Sequence, residues 1–415
     1  MRQLTRQQLV KKCIDFYSSS RDANGLPVGY FIVQGATLEQ IKALVIEAVK
    51  QDEIEVVFSE TDENPHIRRI PKQLKKPFKD LINHCNLSSA CIYPSERIIS
   101  EKINLEKYKN APYTLRFWQG KAQLEYIFFD LKILMPYHSD PRYDLQLRSL
   151  GGGLYGHDGK LPEDEKVNID SMAVSYSESG ERVLGAMLRY LSNLSSKHQR
   201  IWFEQERKDK CRVNEISFEA SYFGKWPSAM SVYDALIEEI NIISQICVKA
   251  FKKTMFKNDF SDSNSKPDYY HVLLISTERE YRNFARALDL IMSENIDIRF
   301  FDLFPRIVKQ IEDEKLGSIG ALKLWIKTYY KPKEGEIDLA VSEVANGFDL
   351  VRKERSISAH GEKDNVFDIV YTTKQKELII EAYQSVRSLR LLLKNLPQSE
   401  LINIPEWLDE KIVNP

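Results

Sequence analysis

The stretch SVYDALIEEINIISQICVKAFKKTMF, residues 231–256, decides how the chain divides. Val232, Leu236, Ile240, Ile243, Cys247 and Phe251 recur close to every 3.6 residues, which predicts a long amphipathic helix. From Ser228 onward that period persists. Thr277 and Glu280 form a capping-box pair ahead of Tyr281, Phe284, Ala285, Leu288 and Ile291. Further helices are predicted over 318–330, 336–360 and 374–395, the last with Leu378, Ala382, Val386, Leu389 and Leu393 on one stripe. Five antiparallel helices with short links make a bundle of ordinary domain size, with a flexible polar loop expected over 258–266.

Upstream the pattern differs. Residues 5–17 and 37–49 carry helical spacing, the second through Leu38, Ile41, Leu44, Val45 and Ala48. Short apolar runs rich in β-formers occupy 29–33, 54–58, 90–93, 113–118, 143–147 and 172–176 and read as strands. Helices and strands alternate at first, and strands dominate toward residue 220. The expected fold class is α+β: a mixed α/β domain over 1–226, an all-α helical bundle over 227–400, and a C-terminal tail over 401–415. The boundary falls near Pro227.

Of the 415 residues, 43% are hydrophobic, which excludes a disordered chain. Fifty-nine basic side chains face 60 acidic ones, a net charge of -1, so a polyanion would need a local patch. Cys13, Cys85, Cys91, Cys211 and Cys247 are odd in number, and no pair has CxxC spacing. With no leader-like segment ahead of them, they are expected to be reduced thiols in a cytoplasmic protein. Charges interrupt every apolar stretch before 18 residues, so no membrane partner is expected. The seven histidines show no HxH or HExxH spacing, and neither a metal nor a cofactor is expected.

The predicted helix over 336–360 is the segment richest in chemistry. Its apolar stripe runs Ile337, Val341, Val344, Phe348 and Val351, and the same phase next reaches Arg355. A permanent cation is therefore aimed where an apolar residue belongs. Five residues on stands His360, followed by Gly361, a natural helix stop. A histidine at a helix C-terminus is stabilised as a cation by the dipole. A fixed cation and a titratable acid/base within one and a half turns suit phosphoryl chemistry.

The segment Arg355-Ser356-Ile357-Ser358-Ala359-His360, closing a helix in a C-terminal bundle, resembles the R-x4-6-H motif of HEPN domains. The resemblance covers about the last 190 residues. It implies a metal-independent endoribonuclease of the abortive-infection or toxin type, with Arg355 and His360 catalytic and RNA as partner. It also implies a homodimer, since HEPN sites form where two motif helices face each other. The residue after the arginine is usually Asn, Asp or His in active members, and Ser356 stands there instead. Glu354 and Ser356 would support the pair, and Arg352, Lys353 and Lys363 would contact RNA. The mixed N-terminal domain would sense a trigger or hold substrate.

Other readings compete. Arg355 could pair with Glu354, Glu343 or Asp349, leaving a catalytically inactive dimerisation or ligand-binding scaffold. Gly151-Gly152-Gly153-Leu154-Tyr155-Gly156 spells GxGxxG, but turn chemistry follows where a dinucleotide site needs a helix, so a mobile loop is expected. His66, Arg68, Arg69, Lys72, Lys75, Lys76 and Lys79 could track a phosphate backbone, although a solvated face explains them more simply.

Overall fold

The computed structural model describes residues 4–20, 22–71, 76–157, 159, 161–225, 230–260, 266–330, 336–357, 365–410 and 412–413. They form two compact units. The first spans 1–146 and 151–227, and the second spans 228–415 together with 147–150.

The first unit carries two sheets. β1 (Leu26–Pro27), β2 (Ile54–Val57) and β3 (Cys91–Pro94) form an antiparallel sheet ordered β1-β3-β2. Helices α1 (Arg6–Ser19) and α2 (Leu38–Lys50) share a core with it through Leu9, Cys13, Ile41, Val45, Ile54 and Ile92. Both helices open on a Thr-x-x-Gln capping box, Thr5 with Gln8 and Thr37 with Gln40, which closes two orphan N–H groups reciprocally. The larger sheet is ordered β4 (Tyr126–Phe129), β8 (Arg182–Met187), β7 (Asn168–Ser177), β6 (Gly151–Gly156) and β5 (Tyr143–Leu147). β9 (Cys211–Val213) pairs with β7.

Three local readings are corrected here. Gly29–Val33 and Pro112–Trp118 (α3) are helices, not strands. Short apolar runs carry no period that separates the two states. At α3 the deciding group is remote: the Gln199 Oε1 accepts the N–H groups of Tyr113 and Thr114, both at 3.0 Å, and so caps the helix. The Gly151 run is not a loop but strand β6. Its register on β7 shifts between Gly152 and Leu154, a β-bulge. A Cβ on Gly151, at φ +155°, would overlap the Met172 carbonyl oxygen of β7. The glycines thus allow close strand approach, and the next helical element described is a single 3-10 turn, Glu163–Glu165, of three acidic residues.

The second unit is helical, as the period predicts: α4 (Val232–Phe251), α5 (Glu278–Ile291), α6 (Pro305–Asp313), α7 (Ser318–Tyr329), α8 (Ile337–Ile357) and α9 (Val370–Leu393). Among these α6 was not anticipated. Its start is set by Pro305 at the first helical position, not by a polar cap. Thr277 accepts the Glu280 N–H, but the Glu280 carboxylate is buried and does not return the bond, so only half of that capping box forms. The expected loop over 258–266 is anchored on its near side. Asn258 N–H donates to Asn295 Oδ1 at 2.9 Å, and Asn295 Nδ2 donates to the Asn258 carbonyl at 2.8 Å.

The residues set apart as a tail belong to this unit. β10 (Met230–Ser231) and β11 (Ile412–Val413) pair in parallel. Asp409 accepts from Arg390 Nη2 at 2.7 Å, and the same arginine donates through Nε to Glu239 Oε2. Glu239 and Arg390 have no exposed surface.

Candidate functional site

α8 is held by its apolar stripe. Val341, Val344, Phe348 and Val351 are buried, as are Leu378, Ile379, Ala382 and Val386 on α9. Gly347 lets the two helices meet: its N–H donates to Ser385 Oγ at 2.7 Å, and a Cβ there would press on Glu381 backbone and Ser385 side chain. This packing fixes the rotation of α8 and hence the direction of its last turn.

On that turn Arg355 points at α5, as its place in the stripe implies. Its Nη1 donates to Asp289 Oδ2 and to Glu294 Oε1. Both acids differ from the three that the sequence offered, Glu354, Glu343 and Asp349, and Asp349 takes Lys323 Nζ of α7 at 2.6 Å. Asp289 has no exposed surface, while the Arg355 side chain remains 37% exposed. The hydrogen bond that Arg355 donates to Asp289 holds the guanidinium protonated, above the ordinary arginine range. Arg352 joins the cluster, with Nε 3.6 Å from Asp289 and Nη2 donating to Ser293 Oγ at 2.9 Å. Ser293 Oγ in turn donates to Asp289.

The supporting residues take local roles. Glu354 accepts the Tyr281 hydroxyl at 3.1 Å. Burial, reinforced by Glu354, raises the Tyr281 phenol far above its usual value. Ser356 Oγ donates to the Arg352 carbonyl at 2.7 Å, a bond back along its own helix. Lys353 is exposed. His360 and Lys363 lie outside the described residues, as do Ser358, Ala359 and Gly361.

Asp289, Ser293 and Glu294 complete the arrangement and were missed in the sequence. Asp289 had a readable signal: it stands eight residues after Tyr281 and four after Ala285, on the apolar stripe of α5. An acid on one stripe answers an arginine on another. Chemically, the cluster fixes a planar guanidinium in one orientation with part of its surface open.

In the first unit the two arginines of the basic run bond internally, while His66, Lys76 and Lys79 are exposed. Arg68 is buried, with Nη1 on the Gly120 carbonyl at 2.8 Å, Nη2 on the Pro94 carbonyl at 2.6 Å, and its guanidinium 4.8 Å from the Tyr93 ring. Arg69 donates to Asp62 Oδ1 at 3.1 Å. His66 Nδ1 lies 3.6 Å from Cys91 Sγ. Lys72 and Lys75 lie outside the described residues. The pattern read as a solvated face or a phosphate track is, at Arg68 and Arg69, internal bonding. Burial pushes the Cys91 and Cys247 thiols up to about 12, so neither is a ready nucleophile. No helix among the described residues is long and apolar enough to cross a membrane.

No protein-family model, curated protein or solved structure matches the chain.

Proposed function

We propose that the chain is a metal-independent endoribonuclease of HEPN type, serving host defence or toxin-like RNA cleavage. The observation that carries this is the setting of Arg355. It closes the stripe of a 21-residue helix, keeps part of its guanidinium open, and is held in orientation by Asp289 and Glu294. In this reading the ribose 2′-hydroxyl attacks the adjacent phosphorus, His360 moves the proton, and Arg355 stabilises the pentacoordinate phosphate. The products are a 2′,3′-cyclic phosphate and a 5′-hydroxyl. Lys353 and Lys363 would draw in the RNA backbone, with Arg352 already bonded to Ser293.

A homodimer belongs to the same proposal. Phe367 and Ile369, 67% and 59% exposed, follow shortly after the motif in sequence and offer apolar surface that a second copy would cover. A cytoplasmic location is likewise proposed.

The bonds that hold Arg355 also favour a second reading, a catalytically inactive scaffold in which the arginine only ties α8 to α5. One experiment separates the two. Purified full-length chain is incubated with total RNA in EDTA, beside His360→Ala and Arg355→Ala. Cleavage by the wild type alone, absent on a substrate carrying 2′-deoxyribose at the scissile position, supports the nuclease. Intact RNA with all three proteins supports the scaffold.

A further inference from the structure

A cavity of about 510 Å³ opens within the second unit, where α4, α7 and α9 end. Its walls include Phe251, Phe304, Trp325, Tyr329 and Tyr330, with Asn395 beside them. Small-molecule sites are concave, mostly apolar and roughly 300–1,000 Å³ in size, and this one falls in that range. The rings do not close on themselves. Phe304 lies 4.8 Å from Tyr329 and 5.5 Å from Phe251, and packs edge-on against Trp325 at 5.8 Å, so they form a continuous wall.

Two features narrow the ligand. Among the described residues none of the lining side chains is charged, which gives no counter-ion there to a phosphate, carboxylate or ammonium group. The Trp325 indole N–H, in a side chain only 4% exposed, has no hydrogen-bond partner among the described residues. A buried donor left unpaired costs stability, and a ligand acceptor would remove that cost. Asn395 has committed Nδ2 to the Leu392 carbonyl at 3.2 Å, which turns its amide oxygen into an acceptor for a ligand donor. Rings set edge and face to one another offer stacking and edge-on contacts to an aromatic guest.

We infer that this cavity binds an uncharged planar ring compound bearing a hydrogen-bond acceptor. The site is separate from the Arg355 cluster. None of Arg355, Asp289, Ser293 and Glu294 lines it, although Trp325 stands two turns along α7 from Ser318, whose Oγ donates to the Ser293 carbonyl at 2.7 Å. Ligand binding is read without RNA, so its failure and the failure of RNA cleavage are distinguishable.

Nile red, planar, neutral and carrying a carbonyl, is the probe. Titrated into the full chain, it is expected to give saturable one-to-one fluorescence enhancement with micromolar affinity. 1-Anilinonaphthalene-8-sulfonate and thioflavin T, of opposite charges, should bind at least tenfold more weakly. Trp325→Phe keeps an aromatic side chain, smaller than the indole, and removes the N–H, and should weaken Nile red about threefold or more. Leu392→Trp fills the cavity and should weaken it at least tenfold, and Tyr330→Ala, at a half-exposed wall, provides a variant with little risk to folding and should also weaken it. Absence of saturation, equal affinity for either charged dye, or unchanged affinity in both Leu392→Trp and Tyr330→Ala overturns the assignment.

Discussion

The guanidinium of Arg355, on the last turn of α8, is bonded to the carboxylate of Asp289, a group on α5 that solvent does not reach. The two ends of this bond are unequal. Asp289 also serves Arg352 and Ser293, whereas Arg355 is partly open. Removing the acid's charge therefore weakens two cations at once, Arg355 keeping Glu294 and Arg352 keeping Ser293, while removing Arg355 leaves the buried acid with both Arg352 and Ser293. Asp289→Asn is expected to cost roughly 3 kcal/mol of stability, and Arg355→Ala clearly less. Urea denaturation of both variants checks this; equal losses would mean that Arg355 is chiefly a strut.

Activity gives a different ordering. Arg355→Lys should retain near wild-type stability yet recover little RNA cleavage, because a point charge cannot present the planar fork to phosphate oxygens. Arg355→Ala and His360→Ala should each cost on the order of 10² to 10⁴ in rate. The rate is read on a single RNA substrate in EDTA, and full activity in Arg355→Lys would remove the bidentate role.

Gly347 reverses an ordinary rule. Glycine to alanine inside a helix usually stabilises by about 1 kcal/mol. At this position the added methyl meets the Glu381 carbonyl and Ser385 across the α8–α9 contact. Gly347→Ala is therefore expected to destabilise by about 1–3 kcal/mol, as overpacking does. A raised melting temperature would show that the helices do not approach this closely.

In the first unit, His198 sets an acid limit. Trp202 Nε1 donates to the Tyr137 hydroxyl at 2.9 Å, and that hydroxyl is hydrogen-bonded to His198 Nδ1 at 2.7 Å. Burial, with Lys197 adding to it, lowers the His198 pKa below its usual 6.5. Below 6.5 the unfolded chain takes up this proton before the folded one, so stability is full above 6.5 and falls as pH drops toward the lowered folded value. Melting temperatures at pH 7.5 and pH 5.5 should differ more in the wild type than in His198→Gln.

What the sequence revealed follows the length of each periodic segment. Twenty residues of α4 and 24 of α9 repeat a helical stripe many times, and Thr5-x-x-Gln8 marks a start through purely local bonds. Five apolar residues at Gly29–Val33 hold too little period to decide, and α3 depends on Gln199, 86 positions from Tyr113. Arg355 stood out as a cation out of place, and Asp289 was equally out of place on its own stripe. Pairing them required knowing that α5 and α8 are neighbours. Glu294, just beyond the end of α5, and the half-formed Thr277 cap gave no such sign.

The pairing of β10 with β11 makes the helical unit a nearly closed ring of chain. Both strands run the same way, two residues each, with Met230 opposite Ile412 and Ser231 opposite Val413. Entry and exit are a strand's width apart, about 5 Å. A few-residue linker could therefore splice exit to entry, and new ends could be opened at the exposed turn around Lys315 without cutting a helix. The same proximity means that any polypeptide continuing past Val413 sets out beside Ser231, so cargo appended there would crowd the doorway through which the chain enters the bundle.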